Sequence, residues 1–298
     1  MKARRWMVRW AGVLAAAKGW WGVVGVVVAT GGGRVEAHGN DFEMIFSLTQ
    51  QLAKSPGDVG LLLERAEVWR AHGELDVARQ DLEAALAAQP RFQPARLRLA
   101  MVARDQGRLE EALTLLDTAA LAEPGQPVIR SVRAGVYLRL GRPAAAVSDL
   151  DSILKSDVEP APELYLDRAR AQLALPKPNT NAVVAGLDQG IERMGPVPSL
   201  HLMALDLEEQ SGQVEAALRR MDGLARESAR KERWLERRGD VLLKAGRAAE
   251  AMKAWGEALA AIDALPERQR RTVATTEQRA AIEAKLAGGK ANGKPSGP

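Results

Sequence analysis

The chain has three histidines, His38, His72 and His201. Metal or proton-transfer chemistry needs such side chains close together, as in an HExxH helix, and no two of these are near at ligand spacing. His72 falls in a turn between two helical patterns and His201 on a half-apolar helix face, so both read as structural. His38 has one further role open to it. If cleavage after Ala37 made it the first residue, its amino group and imidazole could chelate copper, though His38-Gly39-Asn40-Asp41 supplies no second histidine. There is no cysteine, which excludes disulfides, thiolate metal sites, a cysteine nucleophile and lipidation at sulfur. Glu64, Glu67, Glu110, Glu111 and Glu250 recur at solvent-side helical positions, where pairing with Arg or Lys four residues away accounts for them. Gly31-Gly32-Gly33 is followed by Arg34 rather than a lysine-serine pair, and no nucleophile-elbow sequence occurs. Catalytic, metal and cofactor residues are therefore expected to be none.

The remaining chemistry is charge. The formal net charge is +4, with 42 basic and 38 acidic residues. The excess is concentrated at the amino end, where Lys2, Arg4, Arg5 and Arg9 precede an apolar stretch interrupted by Lys18 and continued as Gly19 to Ala29. That core suits a signal peptide and is too short for the roughly 20 apolar residues that cross a bilayer. Val35-Glu36-Ala37 places cleavage after Ala37, so residues 1–37 are expected to be removed, an uncleaved inner-membrane anchor being the alternative. Cleavage removes six of the Lys/Arg and one of the Asp/Glu, leaving 36 against 37. With the basic excess gone, nothing in the composition favours nucleic acid, and membrane contact is expected only through an uncleaved leader. The densest remaining run is Arg226 to Arg238, with six basic residues and three acidic. Glu227 and Lys231 are expected to pair along one helix face, and the run reads as a solvated junction before it reads as a patch for an acidic partner.

These side chains are carried by a repeat. Gly73, Gly107, Gly141, Gly212 and Gly246 are spaced by 34, 34, 71 and 34 residues, each between two apolar helical patterns. Five residues after each stands an alanine: Ala78, Ala112, Ala146, Ala217 and Ala251. With the glycine as fifteenth position, the eighth holds Ala66, Ala100, Ala134, Leu205 and Gly239, and the twenty-seventh Ala85, Ala119, Ile153, Leu224 and Ala258. Small residues at fixed places let two antiparallel helices approach closely. Bulky ones fill the rest: Trp69, Tyr137 and Leu242 at the eleventh place, and Leu82, Leu116, Leu150, Met221 and Trp255 at the twenty-fourth. Pro90, Pro124 and Pro160 end second helices.

At these residues the chain resembles the tetratricopeptide repeat family, with its 34-residue helix-turn-helix unit. The resemblance covers residues 59–266 and implies an all-α, right-handed superhelical solenoid of six repeats. The fourth is irregular, its turn enlarged at Pro176-Lys177-Pro178-Asn179 and its core expected at Leu164, Ala169, Leu187 and Ile191. Residues 38–58 are expected to form a capping half-repeat, with Asp41 capping a helix over 42–54. A capping helix is expected over 267–287 with Val273 and Ile282 facing inward, and a disordered tail over 288–298.

In such a solenoid the first helix of each repeat lines the concave side, and its second, fifth, ninth, twelfth and thirteenth positions face a partner. These positions include Leu63, Glu67, Arg70, Leu97, Met101, Arg104, Ser131, Leu138 and Arg139 in the first three repeats. Leu166, Arg170, Leu202, Asp206, Glu209, Glu236, Asp240 and Lys244 follow, grading from basic-apolar to acidic. Relatives that clamp a terminal carboxylate carry lysine and asparagine where this chain has Leu63 and Glu67, so that mode does not transfer. The expectation is a non-catalytic scaffold that binds a protein or peptide in its groove, exported to the bacterial periplasm or secreted. The alternatives are a membrane-anchored assembly factor carrying the same array, and a metal-binding or catalytic protein using His38 or the groove.

Overall fold

The computed structural model describes residues 35–292 apart from residue 158. Most of the expected leader and the last six residues therefore lie outside the described part. The described residues are all-α, with fifteen helices and no strand. They fall into two units, divided between Ser55 and Pro56. The first unit contains α1 (Val35–Lys54), with an apolar stripe of Ile45, Leu48 and Leu52. Asp41 lies inside this helix and does not cap it, because nothing from Val35 to Asn40 breaks a helix strongly enough to delay its start.

The second unit is an α-solenoid of six helix pairs: α2 (Val59–Ala71) with α3 (Leu75–Ala88), α4 (Gln93–Asp105) with α5 (Leu109–Ala122), and α6 (Pro127–Arg139) with α7 (Pro143–Leu154). The remaining pairs are α8 (Pro162–Leu173) with α9 (Thr180–Met194), α10 (Pro198–Gln210) with α11 (Val214–Glu227), and α12 (Glu232–Lys244) with α13 (Ala248–Asp263). Each helix packs on the next in sequence, so every contact is between near neighbours. The first helices of successive repeats also approach one another, from α2 to α10, whereas second helices do so far less. The first helices thus form the tighter, inner side of the stack.

Local chemistry accounts for this regularity. All five register glycines have left-handed backbone, with φ between 68° and 79°. There the N–H of the following residue bonds the carbonyl five places back, as from Glu74 to Trp69 at 2.9 Å and from Arg108 to Ala103 at 2.8 Å. This closes each first helix in a way that glycine allows at little steric cost. The five alanines that follow are wholly buried, as are the bulky residues of the twenty-fourth place. The fourth repeat has its widened turn after Leu173, and Asn179 Oδ1 accepts from the Ala182 N–H at 3.1 Å to start α9. Ala169 and Leu187 are buried as expected, while Leu164 and Ile191 are half-buried and Tyr165 takes a core place instead.

The carboxyl end departs from expectation in two ways. A short α14 (Glu267–Arg270) precedes α15 (Val273–Asn292), because Thr272 interrupts the run and its hydroxyl accepts from the Thr275 N–H at 3.3 Å. Val273, at the first turn of the restarted helix, is therefore exposed, while Ile282 is fully buried in the last core. The helix also continues five residues past the expected boundary at 287.

Candidate partner-binding groove

The inner surface is built from the first helices, and the expected groove residues divide there into three groups. Leu63 is buried and offers no surface, since the fifth position of α2 turns into the core. Leu97, Leu138, Leu166 and Leu202 are half-buried, each packed against a neighbouring core cluster with part of its side chain still reachable. Met101 and Ser131 are half-buried on the same helices. The charged residues form the third group, and nearly all of them are answered from within the chain.

Arg70 donates to Glu67 at 2.6 Å and reaches Asp105 of the next repeat at 3.0 Å. Arg104 shares Asp105 at 2.9 Å, and Arg139 donates to the Arg104 carbonyl at 2.6 Å. The hydrogen bonds from Arg70 hold the Glu67 carboxyl below the usual carboxylate range against the opposing effect of its burial. Arg170 pairs with Asp167 at 2.7 Å. Arg237 binds both Asp206 and Glu209, the latter at 2.6 Å. Lys285 of α15 reaches Glu236 at 2.8 Å and Asp240 at 2.7 Å. Burial pulls the Lys285 ammonium down, but the two carboxylates more than offset this and raise it. The expected grade from basic to acidic is thus neutralised repeat by repeat. Sequence position alone could not show all of this, because the partners that link different repeats lie 28–49 residues away.

A second set of ion pairs, absent from the sequence reading, fixes the helices themselves. The seventh residue of the first helix is arginine in four repeats: Arg65, Arg133, Arg168 and Arg238. Arg65 grips buried Asp81 of its own second helix at 2.7 and 2.8 Å. Arg133 does the same to buried Asp149 and also reaches Asp117 of the preceding second helix at 2.9 Å. Arg168 reaches back to Asp151 at 2.5 Å, and Arg238 to Asp222. Repeats two and five carry Leu99 and Ala204 at this place. In repeat five the bridge comes from the other side, with Arg220 of α11 joining buried Glu208 to Asp188 at 2.7 and 2.8 Å. An Arg–Asp separation of 16 residues, shared by the pairs of Arg65, Arg133 and Arg238, was the sequence signal that could have found most of this set.

Among the described residues no group of three or more His, Asp or Glu could hold a metal ion. His201 lines a cleft of about 510 Å³ with Asp188, Glu208 and Arg220, its Nδ1 buried without a partner. Burial first, and Arg220 second, push this imidazole toward its neutral form. No described helix is long and apolar enough to cross a membrane.

Comparison with known proteins agrees with this architecture. A tetratricopeptide repeat model matches residues 70–136 and a tetratricopeptide repeat-like domain model matches residues 169–286. A tetratricopeptide repeat protein from Parabacteroides merdae superposes with a TM-score of 0.51 at 21% identity, over 80% of this chain and 94% of that one. The C-terminal part of a repeat-containing protein from Cytophaga hutchinsonii gives 0.51 at 12% identity, over 87% and 93%. At these identities the likeness is one of fold. A search of curated proteins gave no significant match.

Proposed function

From the premise that this chain belongs to the tetratricopeptide repeat family, we propose that it is a non-catalytic scaffold that holds a protein or peptide partner along the inner face of α2 to α12. The observation that carries this reading is the row of half-buried apolar residues Leu97, Met101, Leu138, Leu166 and Leu202 on the successive first helices α4, α6, α8 and α10, set among charges already neutralised by one another. Such a surface offers apolar anchors with little net field, which suits an amphipathic helix or extended segment better than a highly charged one. The arginines then position the partner's polar groups and do not attract it from a distance.

The test is recovery of partners by crosslinking and mass spectrometry with the full chain and with a Met101→Glu, Arg104→Glu, Arg139→Glu variant. Loss of a specific partner from the variant is expected; unchanged recovery overturns the groove reading. The basic residues Lys2 to Arg9 followed by the apolar run Gly19 to Ala29 support an export leader, and with it a periplasmic or secreted location for this scaffold. Isolation of the protein with Trp20 and Trp21 still attached would favour the anchored form instead.

A further inference from the structure

The basic run at the junction of repeats five and six is sorted by the fold into used and unused charges. Arg230 turns inward to Glu232 and, at 3.1 Å, to the Thr275 hydroxyl. Arg233 lies 4.3 Å over the Trp234 ring, and Arg237 and Arg238 are held by acids of repeat five. The helix is interrupted over 228–231, so Glu227 ends α11, Lys231 precedes α12, and the expected pair between them does not form. The side chains of Arg226 and Lys231 are left exposed without a hydrogen bond or ion pair, and so is that of Arg219 of α11. These three cations line one open trough of about 870 Å³.

Its floor is made by the turn. Ala229 stands where earlier repeats have Pro90 and Pro124, and the Ser228 hydroxyl accepts from the Arg230 N–H at 3.1 Å. Asp222 is the one acid on the wall, and Arg238 already neutralises it. In a solenoid where most arginines are answered internally, the trough concentrates unspent positive charge on a surface built from a second helix and a turn, away from the inner face.

We propose that this trough docks an acidic peptide segment, its carboxylates paired with Arg219, Arg226 and Lys231, as a contact separate from the inner groove. The trough is short and its walls carry small side chains such as Ala225 and Ala229. It has neither the long cationic track that a polynucleotide needs nor the aromatic or aliphatic rim of a membrane-binding surface.

The probe is a fluorescein-labelled peptide of alternating glutamate and alanine, titrated with the full chain and read by fluorescence polarisation at low salt. Binding is expected to weaken by at least about tenfold in an Arg219→Glu, Arg226→Glu, Lys231→Glu variant and to fade as salt is raised. An Arg219→Gln, Arg226→Gln, Lys231→Gln variant decides the matter if the reversed one melts early. The groove variant carrying Met101→Glu, Arg104→Glu and Arg139→Glu is expected to bind this peptide unchanged, which separates failure here from failure of the scaffold reading. The proposal is overturned if the wild-type chain ignores the peptide, if the glutamine variant binds it equally, or if the matching glutamine-alanine peptide binds as well. Tighter binding of oligothymidylate or of phosphatidylglycerol vesicles at the same residues overturns it too.

Discussion

Repeats three and six solve one packing problem with different residues. In repeat three Ala134 stands at the helix crossing and Leu150 fills the space beside it, both fully buried. In repeat six the crossing residue is Gly239 and the filler is Trp255. A Cβ on Gly239 would sit 2.3 Å from the indole nitrogen, so the larger ring fits only because its neighbour lacks a side chain. The indole brings a polar atom with it, and its N–H is satisfied by Asp240 at 3.1 Å and the Glu236 carbonyl at 3.2 Å. Between these two repeats, a smaller crossing residue is matched by a larger filler, so the space stays filled.

The sharpest way to break this comparison is Trp255→Ala, which empties the last core and should cost about 3–5 kcal/mol in chemical denaturation. Next comes Arg133→Met, which leaves buried Asp149 without its two-point partner. A loss of about 2–3 kcal/mol is expected, and most of it should return in the double variant with Asp149→Leu. Gly239→Ala should cost about 1–3 kcal/mol by overpacking. Adding Trp255→Leu rebuilds the arrangement of repeat three, so that double variant should be more stable than either single change; strict additivity would show that the two positions are not coupled. The smallest effect is set by the backbone. Gly107→Ala has open space around its new methyl but a φ of 79°, and should lower stability by about 1 kcal/mol, read as a modest fall in Tm.

How much of this was legible depended on whether the cause is local. The glycine interval announced the helix pairs because left-handed closure is a property of one residue and its immediate neighbours. The buried alanines could be anticipated for the same reason: a tight crossing recurs wherever the interval does. Val273 was misplaced because Thr272, which offers its hydroxyl to a nearby N–H, was not recognised as a helix start. The groove was legible only as a list of positions. Whether Arg70 or Asp206 is free to meet a partner depends on Asp105 and Arg237, which belong to the next repeat and are brought within reach only by the stack. The same holds for Glu236 and Asp240, which looked like an acidic end of the groove until Lys285 was found between them.

The placement of α15 also bears on how copies of this chain behave toward one another. A stack of identical units presents, at its open end, a face that the matching end of another copy could occupy, and such arrays are prone to grow into filaments. Here Ile282 seals that face and Lys285 consumes the acids beside it. The helix therefore covers the apolar face of the sixth repeat and pairs the carboxylates beside it, so that this face is spent within the chain.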